Sequence, residues 1–312
     1  MTSLAFVFPG QGSQAVGMLD AWGGHPAVAE TLAEASQALG EDVARLIREG
    51  PKAQLDLTTN TQPVMLTAGI ACYRAWRAEG GSEPIAVAGH SLGEYTALVV
   101  AGALRFADAL PLVRFRAQAM QEAVPVGTGA MAAIVGLEAE AVRVGCAEAA
   151  AASGEVVEAA NYNDPMQTVI AGSKAGVDRA CQLLKGKGAK RALPLAVSAP
   201  FHSSLMRPAA ERLRERLQSV AIVAPHIPVI NNIDVAAPDE PQSIRDALYR
   251  QAFGPVRWVE VVRALRGRGA SHLVECGPGK VLTGIAKRID SELGCASMFD
   301  PASLAEVKGW LA

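Results

Sequence analysis

The segment Ile85–Gly93 constrains this chain most. An apolar run, Ile-Ala-Val-Ala-Gly, turns within Gly89-His90-Ser91-Leu92-Gly93 and passes at once into a further apolar stretch, Glu94–Ala103. A buried strand that bends so abruptly into a helix needs small residues on both sides of the turn, and Gly-x-Ser-x-Gly supplies them. Such a turn lifts a serine hydroxyl clear of the sheet edge. It also points the backbone N–H of the next residue, Leu92, at the spot where an oxyanion forms, and the helix N-terminus adds a favourable field for negative charge. The pentapeptide alone arises often by chance as a plain glycine turn. The strand before it and the helix after it make Ser91 the candidate nucleophile.

The alternation of short apolar runs with amphipathic stretches continues through the 312 residues and predicts an α/β protein. Leu4–Phe8 is a short strand that enters Pro9-Gly10-Gln11-Gly12-Ser13-Gln14, a turn of small residues. Thr61–Glu79 has the pattern of a helix stopped by Gly80-Gly81. Ala107–Ala123 is a second, with Leu112, Val113, Phe115 and Met120 as packing positions. Between Pro125 and Ser198 the order changes. Strand Met131–Leu137, helix Glu138–Ala152, strands Val156–Asn161 and Thr168–Ala171 about an Asn-Asp-Pro turn, helix Val177–Leu184 and strand Ala192–Val197 follow one another. That β-α-β-β-α-β order is the ferredoxin-like unit. The expected organisation is a large α/β subdomain from residues 1–125 and 199–312, interrupted by a small ferredoxin-like subdomain, 126–198. Gly127, Gly129 and Pro200 suit the two crossings, and Val229–Ile233 and Ser271–Glu275 are expected strands of the large part.

Half the residues are hydrophobic, enough for a sizeable core, and the formal net charge of −2 gives no reason to expect nucleic-acid binding. The five cysteines are scattered, odd in number and form no C-x-x-C pair, which argues against a disulfide framework or a zinc site. Reduced cysteines, the absence of a basic region before the first apolar run, and an apolar stretch at Tyr95–Leu104 too short to span a bilayer all point to a cytoplasmic protein.

A serine hydroxyl needs a base. Of His25, His90, His202, His226 and His272, the neighbour His90 is expected to support the turn, because an elbow points adjacent side chains apart. His202 lies in the Pro-containing loop Ser198-Ala199-Pro200-Phe201-His202-Ser203-Ser204, the type of segment that carries catalytic groups. A loop histidine on its own is more often a surface or structural residue. The other three are assigned structural or surface places.

The chain resembles the malonyl-CoA:acyl carrier protein transacylases. The resemblance rests on Gly10-Gln11-Gly12-Ser13-Gln14, Gly89-His90-Ser91-Leu92-Gly93-Glu94-Tyr95, Ala199-Pro200-Phe201-His202-Ser203 and Glu275-Cys276-Gly277-Pro278-Gly279-Lys280, in that order and over essentially the whole length. It implies an α/β-hydrolase-like core carrying a ferredoxin-like insertion. It further implies that Ser91 takes the acyl group as an ester, with His202 as general base and then acid. The backbone carbonyl of Gln251 would orient that histidine in place of a triad carboxylate, and the N–H groups of Gln11 and Leu92 would form the oxyanion hole. Arg116 would grip the malonyl carboxylate. A guanidinium suits that task, since it offers two parallel hydrogen bonds that a lysine cannot, and the Ala107–Ala123 pattern is expected to leave it among apolar neighbours. Phe201, an aromatic just before the histidine, is expected to favour malonyl over branched acyl groups. A missing carboxylate would leave His202 a less forceful base toward water, so an acid at Gln251 is expected to raise hydrolysis.

The implied reaction is a ping-pong transfer from malonyl-CoA to the phosphopantetheine thiol of acyl carrier protein, supplying fatty-acid elongation. It takes coenzyme A thioester as substrate and calls for no cofactor or metal. The resemblance implies a monomer with no nucleic-acid or membrane partner. Lys185, Lys187, Lys190 and Arg191, together with Lys287-Arg288, are candidates for docking the acidic carrier, with ordinary solvated charge as the alternative. Three rivals remain at this level: an acyltransferase that loads polyketide carrier domains, a serine esterase or thioesterase, and a carrier-binding protein without activity. Arg116 and the Gly10–Gln14 motif weigh against the esterase, and intact Ser91, His202 and Arg116 weigh against the inactive carrier-binding protein.

Overall fold

The computed structural model describes residues 2–311. Among the described residues, nine strands form two sheets. Five parallel strands make the first: β1 (Leu4–Phe8), β2 (Ala86–Gly89), β7 (Val229–Ile230), β8 (His272–Cys276) and β9 (Gly294–Met298), in the order β7-β2-β1-β8-β9. The first strand is buried throughout, as expected for the central strand of a parallel sheet covered on both faces. Trp76, Leu66 and Leu110 pack in the core on one face, while Trp258, Val261 and Leu265 pack on the other.

The remaining strands form an antiparallel sheet: β3 (Gly129–Val135), β4 (Val157–Asp164), β5 (Gln167–Ser173) and β6 (Arg191–Pro194), ordered β4-β5-β3-β6. Residues alternate in β3. Ala132 and Ile134 face helices Ala139–Ser153 and Lys174–Gly186, whereas Met131 and Ala133 face Phe201 and Val197. The two crossings into this segment touch, since a Cβ on Gly129 would sit 2.3 Å from Pro200 Cδ. Residues 160–162 of β4 lie against the loop ahead of Trp258, where Tyr162 N–H donates to Val256 O at 2.9 Å and Val256 N–H to Ala160 O at 2.8 Å. Arg288, from helix Val281–Ile289, reaches Asp164 at 2.7 Å.

Several expected boundaries move for identifiable reasons. The helix after the elbow ends at Val100, not Ala103, because Gly102 takes a φ of 72° and Ala103 N–H turns back to Leu98 O. The seventh strand stops at Ile230, since the Asn231 N–H turns to Ala236 O and the Asn232 N–H to Glu94 Oε2 instead of extending the ladder. Asn163 and Asp164 belong to β4, so the expected Asn-Asp-Pro turn is narrower. The long helix begins at Thr58, before the expected Thr61.

Parallel pairing sets Phe8 beside Gly89, so the turns after β1 and β2 emerge side by side at the carboxyl edge of the sheet. Gly93 makes this possible: a Cβ there would stand 2.0 Å from Phe8 O, and one on Gly89 would stand 1.8 Å from the Gly93 carbonyl carbon. Gly93→Ala should therefore lower unfolding free energy by about 3 kcal/mol or more, read by urea denaturation. Gly284→Ala is the control. It lies inside helix Val281–Ile289 with only Arg288 Nη1, 3.8 Å away, near its would-be Cβ. That change should be neutral or add up to about 1 kcal/mol.

Candidate active site

Ser91 occupies the turn between β2 and helix Gly93–Val100 with φ 53°, a conformation L-residues seldom adopt. Three hydrogen bonds hold it there. Its N–H donates to Asn232 Oδ1 at 2.7 Å, and Asn232 Nδ2 donates to Gly89 O at 2.8 Å. Gln251 Nε2 donates to Ser91 O at 3.0 Å. His90 turns away from the serine, as expected, and its Nε2 bonds Asn163 Oδ1 of β4 at 2.9 Å while its ring packs on Trp258. Burial pushes the His90 pKa down, so the ring is neutral and donates that proton to the amide oxygen.

His202 comes 2.6 Å from Ser91 Oγ through Nε2. Its other nitrogen, Nδ1, faces the carbonyls of Gln251 at 2.9 Å and Gly254 at 3.2 Å. Carbonyls only accept, so the proton must sit on Nδ1, and Nε2 presents its lone pair to the serine hydroxyl. His202 too has a left-handed φ, 61°. Two backbone-strained residues thus meet at one hydrogen bond, the usual location of stored strain. Burial, aided by the Arg116 charge, drives the His202 pKa down to about 3.

Arg116 is buried, but not among apolar side chains as expected. Its Nη1 donates to Gln62 Oε1 at 2.8 Å, and its Nη2 donates to Gln251 Oε1 at 3.1 Å and to Ser91 Oγ at 3.2 Å. The guanidinium also lies over the Tyr95 ring. Every hydrogen-bond partner of this buried cation among the described residues is neutral. A buried, unpaired charge is costly, and it becomes favourable when an anion arrives beside Ser91.

These groups floor a cleft of about 130 Å³ between the two sheets. Gln11, Leu92, His90 and Gln62 line it with the three residues above, and Met131, Val169, Leu195, Val197 and Phe201 give it an apolar wall. The backbone N–H groups of Gln11 and Leu92 have no hydrogen-bond partner among the described residues. The Gln11 loop is fixed by Thr58 Oγ1 donating to Gln11 Oε1 at 2.6 Å. The side chain of Gln251 points at Arg116, away from His202, so an acid placed there would meet the guanidinium and would not complete a triad.

The basic groups divide. Lys190, Arg191 and Lys287 are exposed, and Arg191 opens the strand whose continuation, Leu195 and Val197, lines the cleft. Lys187 is paired with Glu148, and Arg288 with the nearly buried Asp164, which makes Arg288 a tie between the sheets before it is a docking charge. Sequence reasoning passed over Gln62, Asn232, Glu94 and the amide of Gln251. Glu94 stood inside the quoted motif, but nothing in the sequence brought it beside Gln251, 157 positions away.

A family model described as acyl transferase domain matches residues 5–300. The malonyl CoA-acyl carrier protein transacylase of Escherichia coli strain K12 is 52% identical over 306 residues, 98% of each chain. An acyl-carrier-protein S-malonyltransferase from Burkholderia pseudomallei superposes with a TM-score of 0.96 at 64% identity, over 98% of this chain and 99% of that one. A malonyl-transacylase solved with a type II PKS acyl-carrier protein gives 0.95 at 48% identity, over 97% of this chain and 98% of that one.

With a folded-state value near 3, His202 stays neutral where an ordinary histidine protonates. Its lowered value adds stability that is full above about 6.5 and is lost as pH falls toward 3. Glu94, which burial pushes up to about 7, has the opposite sign: its contribution is full below about 4.5 and is lost as pH rises through 7. Single-turnover acylation of Ser91 should stay level from pH 8 to about 5; a fall centred near 6.5 would contradict a neutral buried base.

Proposed function

The chain belongs to the malonyl CoA-acyl carrier protein transacylase family, and on that premise we propose that it transfers malonyl from malonyl-CoA to the phosphopantetheine thiol of acyl carrier protein, supplying fatty-acid elongation. The observation that carries this reading is the Arg116 guanidinium, buried, held only by neutral partners and 3.2 Å from Ser91 Oγ. A serine hydrolase has no need of such a charge beside its nucleophile, whereas an acyl group with a free carboxylate does.

In the proposed cycle His202 Nε2 takes the Ser91 hydroxyl proton as Oγ attacks the thioester carbonyl. The Gln11 and Leu92 N–H groups receive the oxyanion, the C–S bond breaks, and His202 returns the proton to the departing CoA thiolate. The carrier's thiol then gives its proton to His202 and attacks the malonyl-serine ester. Ser91 leaves and recovers the proton. Every step falls to a side chain or a backbone N–H of this chain, so the cycle calls on no metal or redox cofactor, and coenzyme A thioester enters as substrate. Phe201 on the cleft wall narrows the space beside the acyl α-carbon and favours malonyl over branched groups.

The same reading takes residues 1–125 and 199–312 as an α/β-hydrolase-like core and 126–198 as a ferredoxin-like subdomain. The parallel five-stranded sheet and the β4-β5-β3-β6 order support it. It takes the enzyme as a cytoplasmic monomer; five free cysteines and the absence, among the described residues, of any helix long and apolar enough to cross a membrane support the location. Loading of polyketide carriers is the second reading, favoured by the relative solved with a type II PKS carrier. It differs only in the customer.

Incubation with malonyl-CoA should put a malonyl mass increment on Ser91, which holo-carrier protein then removes; no increment, or loss to water alone, would overturn the transfer. Arg116→Met should cut malonylation at least about 100-fold while reducing acetylation far less. Lys287→Glu should slow transfer to the carrier several-fold and spare acylation by malonyl-CoA; equal effects on both steps would discard Lys287 as a docking charge.

A further inference from the structure

Arg116 is held at both ends by amides. Gln62 takes one amino group and Gln251 the other. The nearest route to a carboxylate runs through the second amide: Gln251 Oε1 accepts from Arg116, while Gln251 Nε2 donates to Glu94 Oε2 at 3.1 Å and to Ser91 O at 3.0 Å. The orientation of this amide is forced. Ser91 O only accepts and the guanidinium only donates, so a reversed amide would set oxygen against oxygen and N–H against N–H. Glu94 Oε2 also accepts the Asn232 N–H at 2.8 Å, which ties the same carboxyl to the residue that holds the Ser91 N–H. Both acceptor contacts are made whether that carboxyl is ionised or neutral.

The chemical consequence lies in what stands next to the guanidinium. A glutamate at 251 would fill the same volume and give Arg116 a salt-bridge partner at hydrogen-bond distance. That internal carboxylate would then compete with the one on the substrate. An amide fixes the guanidinium equally well in space and leaves its charge unanswered. We propose that the Gln251 side chain is a specificity-determining group, a neutral spacer that holds Arg116 in place yet unpaired for the acyl carboxylate, and that Glu94 is the positioning residue that anchors this amide. The proposal rests on the malonyl-transfer reading and assigns Gln251 a second task beside that of its backbone carbonyl toward His202.

The test is the ratio of Ser91 acylation rates from malonyl-CoA and acetyl-CoA, followed by intact mass. Gln251→Met keeps the backbone carbonyl and the volume but removes the acceptor; the malonyl-to-acetyl ratio should fall about tenfold. Gln251→Glu should lower it further, about 50-fold or more, through a raised KM for malonyl-CoA. Glu94→Ala should lower it about tenfold, and Glu94→Gln, which keeps an acceptor oxygen, should restore it to within about threefold of the parent. General damage to the fold would depress both acyl groups alike and leave the ratio unmoved. A ratio within about twofold of the parent in both Gln251 variants overturns the proposal. If the parent itself forms no malonyl-serine, the transfer reading fails instead, and the two failures are told apart by that single control.

Discussion

The close passage of the elbow over the end of the first strand is the constraint on which the rest depends. Gly93 lies against Phe8 O, Gly89 against Gly93, and Gly10 against His90 O, where added Cβ atoms would approach to 2.0, 1.8 and 2.7 Å. Three glycines thus let two strand-end turns share one small volume. Ser91 and Gln11 reach the same cleft only because β1 and β2 run parallel with Phe8 beside Gly89. A side chain at any of these points would separate the nucleophile from the loop that carries an oxyanion donor.

Around that contact, polar groups are spent on orientation and not on charge neutralisation. Two carbonyls fix the His202 tautomer, two amides fix Arg116, and one asparagine fixes the Ser91 N–H. The low dielectric that drives the His202 pKa down to about 3 also strengthens whatever Arg116 does to an incoming anion. Behind the histidine, where a serine triad usually has a carboxylate, two backbone oxygens face Nδ1 and bring no charge into the site.

The antiparallel sheet completes the cleft without contributing a reacting atom. Met131, Val169, Leu195 and Val197 wall the approach to Ser91, and Asn163 holds His90 beneath the elbow. The bonds between residues 160–162 and Val256, with the Arg288–Asp164 pair, keep this wall at its distance from the nucleophile.

By itself the sequence determined the nucleophile turn, because strand, small residues and helix lie within a few positions of one another and their steric logic is local. It determined most strands and helices for the same reason, and it gave the order β-α-β-β-α-β of the second sheet. Ser91 follows from the turn motif, His202 is a loop candidate, and Arg116 comes from the family resemblance; the structure brings all three within hydrogen-bond reach of one oxygen. Tertiary structure alone decided what surrounds them. The polar cage on Arg116 comes from positions 62 and 251, and the anchor on Gln251 from position 94, separations over which periodicity carries no information. Strand ends were likewise decided in three dimensions: the seventh strand stops where the Asn232 N–H turns to Glu94, and Arg288 spends its charge on Asp164. Burial creates these demands, and only the folded chain says which side chains are close enough to meet them.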